Sequence, residues 1–324
     1  MSSAQAVPPG LERAVLAALA GAEPEGDSPA GGSSNLDCRA VSGGCIANAL
    51  RVSGPGKSSA FLKWAPPRDP AAQTFQAEAD GLRALASTGA VRVPRVLGLP
   101  AAGDGMGLLL EWLEPTPAKR SSWRELGAAV AALHSAPVEV PGPGWPAHNF
   151  IGLLPQSNDD AGDWPEFWWT RRLAPQIELA AGTLGGLLPR LERLRDALPD
   201  LLAGAREEGL SLLHGDLWSG NVVFAREGVG VREPVASRVE PADAPIGALI
   251  DPSVYAGHRE VDLAMAELFG GFPPAFFEGY QKERPTLPDY PARRPIYQLY
   301  YLLVHVNLFG GGYLAGVRNV LGQL

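Results

Sequence analysis

Near residue 114 the hydrophobic periodicity of this chain changes, and that change constrains the fold more than any other feature. Before it, short apolar runs alternate with glycine turns: Leu36 to Val41, Ile46 to Val52 and Ala60 to Trp64, separated by Ser42-Gly43-Gly44 and Gly54-Pro55-Gly56. Runs of that length bounded by turn residues read as an antiparallel meander. Ala71 to Ser87 then places Phe75, Leu82 and Leu85 on one helical stripe, and Val93 to Leu99 and Met106 to Trp112 return to strand character. Ahead of the meander, Pro9 to Leu19 has helical spacing and ends in a Gly/Pro/Ser-rich stretch. From Glu114 onward helical spacing dominates: Ser122 to His134, Pro165 to Ala180, Leu187 to Ala203, Val261 to Gly270, Pro274 to Glu283 and Ile296 to Phe309. Two strand-like runs, Asn221 to Phe224 and Ala248 to Ile250, flank a polar stretch from Arg226 to Pro245 that reads as a surface hairpin loop. The expectation is a bilobal α+β fold, with residues 1–113 a small antiparallel-sheet lobe and residues 114–324 a mostly helical lobe.

Composition narrows the partners. Lys+Arg number 27 against 35 Asp+Glu, a net charge of −8, and no basic run exceeds a pair such as Arg171-Arg172. A surface for nucleic acid needs clustered positive charge, so nucleic acid is not expected as a partner. The most apolar stretch, Ile296 to Phe309, is broken by Gln298, His305 and Asn307 and falls short of the ~18 residues that span a bilayer, so a buried helix and no membrane segment are expected. Two cysteines, Cys38 and Cys45, are too few for a disulfide scaffold or a zinc site, and Met1 to Gln5 carries no basic, then apolar, leader. A cytoplasmic protein fits both observations.

The chemistry concentrates in Leu212-Leu213-His214-Gly215-Asp216-Leu217-Trp218-Ser219-Gly220-Asn221. An Asp and an Asn five apart after an apolar run have the spacing of a kinase catalytic loop, where the Asp accepts the proton of the acceptor hydroxyl and the Asn binds a metal ion. Thirty residues on, Asp251 follows an apolar strand in Leu249-Ile250-Asp251-Pro252, the place from which a second carboxylate reaches nucleotide-bound magnesium. Lys63 stands inside the apolar strand Ala60-Phe61-Leu62-Lys63-Trp64, where an unpaired ammonium is costly. Glu78 stands on the apolar stripe of the next helix, between Phe75 and Leu82. Each charge is misplaced alone, and together they match the lysine–glutamate pair that holds ATP phosphates.

Weaker signals surround these. Gly43 and Gly44 either lay backbone N–H groups over phosphates or simply close a hairpin. Gly54-Pro55-Gly56-Lys57-Ser58 imitates the end of a Walker A loop, but the required first glycine is Arg51. Glu111-Trp112-Leu113 is either the hinge whose backbone meets adenine or a plain strand end. Trp218, two residues past the presumed base, offers a stacking surface to the acceptor, whereas Trp164, Trp168 and Trp169 read as core. His305 and Asn307 are polar residues on an apolar helix, either satisfied in the core or facing the acceptor. Cys45 beside the glycines is either a thiol open to oxidation, and then to a Cys45–Cys45 homodimer, or an inert buried residue.

The chain resembles the fructosamine/ketosamine-3-kinase family, within the aminoglycoside-phosphotransferase and protein-kinase-like superfamily. The resemblance spans nearly all of it, through Ser42-Gly43-Gly44-Cys45-Ile46, Phe61-Leu62-Lys63, Val93-Pro94-Arg95-Val96, Glu111-Trp112-Leu113, His214 to Asn221, Asp251-Pro252-Ser253, Tyr255-Ala256-Gly257-His258-Arg259-Glu260 and Phe269-Gly270-Gly271-Phe272-Pro273. It departs in the 226–245 insertion and in the long lead-in before Cys38. What the resemblance implies is ATP- and Mg²⁺-dependent phosphorylation of a sugar hydroxyl of free or protein-bound ketosamines, a deglycation repair. It also implies that Asp262 braces the catalytic loop without touching substrate. The residues alone reach only a small-molecule phosphotransferase. A kinase of another metabolite or an aminoglycoside stays open, and so does a nucleotide-binding pseudokinase scaffold, although Lys63, Asp216, Asn221 and Asp251 are all retained.

Overall fold

A computed structural model of the chain describes residues 6–21, 36–41, 47–226 and 244–324. Gly43, Gly44 and Cys45, and almost all of the 226–245 insertion, lie outside the described residues. The chain divides into two compact units, residues 1–83 with 94–114, and residues 84–93 with 115–324.

In the first unit the elements are α1 (Pro9–Ala20), β1 (Asp37–Ala40), β2 (Asn48–Ser53), β3 (Ala60–Ala65), α2 (Pro70–Ser87, of which residues 84–87 are assigned to the second unit), β4 (Val96–Gly98), β5 (Ala101–Ala102) and β6 (Gly105–Glu111). The strands form one antiparallel sheet in the order β1-β2-β3-β6-β4, with β5 on β6. Alternation along β2 and β3 sends Leu50, Val52, Leu62 and Trp64 to one face, where Leu11 and Val15 of α1 complete the core. Asp104, in the β5–β6 turn, accepts the first N–H groups of α1, from Gly10 (2.7 Å) and Leu11 (2.9 Å), which puts a carboxylate at the positive end of that helix. Asp69 does the same for α2, accepting from Ala71 N–H at 2.9 Å with Pro70 in the first turn.

The second unit contains α3 (Arg120–Ser135), β7 (Asn149–Ile151), β8 (Leu154–Gln156), α4 (Trp164–Phe167), a π-helical turn (Trp168–Leu173), α5 (Ala174–Leu179), α6 (Ala181–Leu184), α7 (Leu188–Leu201) and α8 (Ala203–Glu208). It continues with β9 (Ser211–Leu213), β10 (Val222–Ala225), β11 (Ile246–Leu249), β12 (Tyr255–Gly257), α9 (Glu260–Leu268), α10 (Pro274–Glu283), α11 (Tyr290–Phe309) and α12 (Leu314–Leu321). Helices α3 and α10 approach through two glycines: a Cβ on Gly127 would stand 2.0 Å from Phe276 O, and one on Gly279 2.0 Å from Arg124 O.

Three expectations shift. The helix over Pro165 to Ala180 is interrupted by the π-helical turn, which buries Trp168, Arg172 and Leu173; Trp164 is buried too, and Trp169 packs partly buried against the same core. Helix α11 begins at Tyr290 and not Ile296, running through Pro295, because Arg293 in the turn before that proline is held by Glu260 at 2.8 and 2.9 Å. The strands β9 and β12 go unmarked in the sequence pattern, because both are three residues long and buried on every position, with no alternation to read. Among the described residues no helix is long and apolar enough to cross a membrane.

Candidate active site

The turn after β9 sets the site. Gly215 has φ +82, and a Cβ there would stand 2.0 Å from Ser253 O, so the chain can reverse at this point only with glycine. The loop is then pinned from several sides. Asp262, in the first turn of α9, accepts His214 N–H at 2.8 Å with Oδ2 and Gly215 N–H at 2.9 Å with Oδ1. Tyr301 of α11 donates its hydroxyl to Gly215 O at 2.8 Å, and Ser253 N–H donates to His214 O at 2.8 Å.

His214 is fully buried, and burial pushes its pKa down, so it is neutral. Its Nε2–H donates to Ile250 O (2.9 Å) and its Nδ1 accepts Asp216 N–H (3.3 Å). One ring therefore fixes the backbone beside both Asp216 and Asp251. Asn221 completes the group: its Nδ2 donates to Asp216 O (2.9 Å) and Asp216 Oδ2 (3.1 Å), and its backbone O accepts Ile250 N–H at 3.0 Å. Asp216, Asn221 and Asp251 are thus brought together by the turn, the β10–β11 pair and one imidazole. Burial, then the charge of Asp251, push the Asp216 carboxyl up to about 7 against the opposing hydrogen bond from Asn221. Asp251 is the one non-glycine residue with positive φ among the described residues, at +54, a strained backbone of the kind that clusters at functional sites.

In the first unit, Lys63 Nζ lies 2.8 and 2.9 Å from the two oxygens of Glu78. Glu111 ends β6, with Oε2 accepting Arg95 N–H at 3.2 Å, and Leu113 is buried. Trp112 lies under the Arg51 guanidinium, 4.6 Å from the ring centre, and its Nε1–H donates to Glu114 at 2.8 Å.

The profile of the fructosamine kinase family matches residues 28–324. The chain belongs to that family. A protein named probable ketoamine kinase from Synechocystis sp. is 38% identical over 297 residues, covering 88% of this chain and 89% of its own length. A chloroplastic protein-ribulosamine 3-kinase of Oryza sativa is 34% identical, over 87% of this chain and 76% of that protein. The crystal structure of a candidate fructosamine-3-kinase from Haemophilus somnus superposes with a TM-score of 0.77 at 25% identity, covering 97% and 96% of the two chains. This family member is an ATP-dependent small-molecule phosphotransferase with a bilobal, kinase-like α+β fold.

The remaining expected residues of the family member sit on the second unit. Trp218 is 41% exposed, and its indole lies over Gly220, where a Cβ would meet ring atoms at 2.2 to 2.5 Å. One face of the ring is thus supported while the residue stays open to solvent. His305 is half-buried, bonds Tyr301 O at 2.8 Å and packs in an aromatic group with Phe269 (4.4 Å) and Tyr313 (4.9 Å). Asn307 donates to Gln176 O (3.0 Å) and Oε1 (2.8 Å), which ties α11 to α5. Asp262 braces the loop as the resemblance implies. Sequence reasoning missed Tyr301, which hides in the apolar run of α11, and Ser253, which gave no signal beyond its place after Asp251-Pro252.

Proposed function

We propose that the chain transfers the γ-phosphoryl group of ATP to a sugar hydroxyl of a ketosamine, the 3-hydroxyl of a ribulosamine or fructosamine adduct, free or on a protein. Support comes above all from the Asp216–Asn221–Asp251 grouping, an oxygen-rich set hung on one pinned turn. Asp216 takes the proton of the attacking hydroxyl: Asn221 occupies Oδ2, and a carboxyl near pH 7 suits a general base.

Asn221 and Asp251 suit magnesium because an amide carbonyl and a carboxylate are hard oxygen donors, and the Asn221 nitrogen is already committed to Asp216. Magnesium usually keeps few protein ligands and shares the rest with substrate phosphates, so two oxygen donors suffice. Such an ion supplies charge neutralisation on the transferring phosphoryl group. Lys63, aligned by Glu78, meets the phosphates, with Gly43 and Gly44 as backbone donors to them. Glu111, Trp112 and Leu113 form the adenine hinge; Trp218, with His305 at the edge, faces the acceptor. Residues 1–113 then act as the nucleotide lobe and 114–324 as the catalytic and acceptor lobe, in a cytoplasmic enzyme.

ADP release by the purified protein on ribulosamines, fructosamines and aminoglycosides tests this reading. Ketosamine-dependent release that Asp216→Asn abolishes is expected. Preference for aminoglycosides, or release unaffected by that change, would refute it.

A further inference from the structure

The Gly257-His258-Arg259-Glu260 string holds a buried polar chain that leads to the catalytic loop, and the direction of each hydrogen bond along it can be worked out. Arg259 carries only donors. Its Nη1–H points at Tyr280 Oη, 3.0 Å away, so that oxygen accepts there and must send its own proton elsewhere. The partner within reach is His134 Nδ1 at 2.9 Å. With Nδ1 accepting, the single proton of a neutral imidazole sits on Nε2, which faces Asp262 Oδ2 at 3.1 Å. His134 is fully buried, and burial pushes its pKa down, in keeping with the neutral ring. Asp262 is the carboxylate that holds His214 N–H and Gly215 N–H.

Arg259 is itself fixed at the far end. Glu208, the last residue of α8, takes its Nε–H at 2.9 Å and an Nη2–H at 2.6 Å, and Pro285 O takes Nη2–H at 2.6 Å. The other Glu208 oxygen accepts from His258 Nε2 at 2.8 Å, and His258 Nδ1 lies 2.9 Å from the Tyr297 hydroxyl. Reversing any one step puts two donors or two lone pairs face to face in a buried site, which is penalised strongly. The other imidazole tautomer would aim the Nε2 lone pair at the Asp262 carboxylate.

We infer that Arg259, anchored by Glu208 and acting through Tyr280, is a positioning residue that pairs the Nδ1 lone pair of His134 and so, with Asp262 on its Nε2–H, holds that imidazole and keeps Asp262 clamped on the catalytic turn. This inference rests on the proposed role of that turn in phosphoryl transfer, but its primary readout does not depend on turnover.

Long-range ¹H–¹⁵N correlation spectra of ¹⁵N-histidine-labelled protein show which ring nitrogen of each of the five histidines carries the proton. His134 is identified by its loss in His134→Gln. The wild-type protein should show His134 protonated on Nε2; protonation on Nδ1 overturns the inference without any variant. Tyr280→Phe, which removes the relay oxygen and keeps the ring, leaves the Nδ1 lone pair without its donor while Asp262 still holds Nε2–H, and should move the His134 Nδ1 resonance and lower kcat by about 10- to 100-fold, the scale of a small misplacement at the reacting centre, with both KM values unchanged. Arg259→Lys, which keeps a donor, should fall closer to wild type than Arg259→Met. A folded Tyr280→Phe with an unmoved His134 Nδ1 resonance and wild-type kcat would also overturn it. If the Nδ1 resonance moves as stated while no ketosamine is turned over by any form, the proposed substrate fails and the relay stands.

Discussion

Lys63 Nζ and the Glu78 carboxylate meet at 2.8 and 2.9 Å across fifteen residues of sequence, with side chains only 15% and 11% exposed. Removing one partner of a buried pair costs on the scale of ~3–5 kcal/mol, whereas removing both can be far cheaper. Lys63→Met and Glu78→Gln should therefore each weaken ATP binding and lower the unfolding midpoint by more than half the effect of the double variant. A double-mutant cycle by ATP titration and thermal unfolding checks this; additive costs would contradict the coupling.

Asp216→Asn keeps the shape of the side chain and its place beside Asn221, while removing the oxygen that can take a proton. ATP affinity should stay within about twofold, and kcat should fall by about 100-fold or more, the range of general-base contributions. Single-turnover measurement with saturating ATP separates the two. Wild-type turnover would remove Asp216 from the chemistry.

Gly215 combines φ +82 with Ser253 O at 2.0 Å from where a Cβ would stand. Gly56 has φ +64 and nothing within 4 Å of that position. Alanine at Gly56 should thus cost only the left-handed backbone penalty, roughly 1–2 kcal/mol. Alanine at Gly215 must in addition push Ser253 aside, and with it the clamp on the turn. Denaturant unfolding should rank Gly215→Ala well below Gly56→Ala, and Gly215→Ala alone should lose turnover. Equal stabilities would mean that the turn is more pliable than its contacts indicate.

Legibility from sequence followed how strongly each residue conflicted with its local pattern. Lys63 and Glu78 were readable because a charge on an apolar stripe needs a partner, and the structure supplies that partner. The Asp216 and Asn221 spacing was readable because a five-residue turn fixes both. The relay from Glu208 to Asp262 was not, because its members lie on α8, α9, α10 and the end of α3, and only tertiary packing brings them together. The early start of α11 was hidden by Pro295, a local breaker overruled by the Arg293–Glu260 pair.

Trp218 is 41% exposed, and its indole rests on Gly220. An indole supported in that way can stack on an acceptor without losing much freedom. Trp218→Ala should raise the acceptor KM severalfold and leave the ATP KM unchanged. Gly220→Ala, which would drive a methyl into the ring, should do the same with the indole still present. A rise in the ATP KM instead would place Trp218 on the nucleotide side.

Glu208 gives the acid dependence of stability a location. Burial raises its pKa, but the hydrogen bonds from His258 and Arg259 outweigh this and hold the carboxyl at about 2, against an ordinary value of 4.5. Between those two values the unfolded chain binds a proton at Glu208 that the folded chain refuses. The stability it contributes is fully present above about pH 4.5 and is lost as pH falls toward about 2. The buried His134, His214 and His258 act in the same direction but higher, because burial lowers their pKa values below the ordinary 6.5. Their share begins to be lost as pH drops below 6.5, above the range in which Glu208 titrates. Urea unfolding from pH 7 down to pH 3 should therefore show a fall that begins near pH 6.5 and steepens below pH 4.5, and Glu208→Gln should remove the steepening. An unchanged slope below pH 4.5 in that variant would show that the carboxylate is not held ionised by His258 and Arg259.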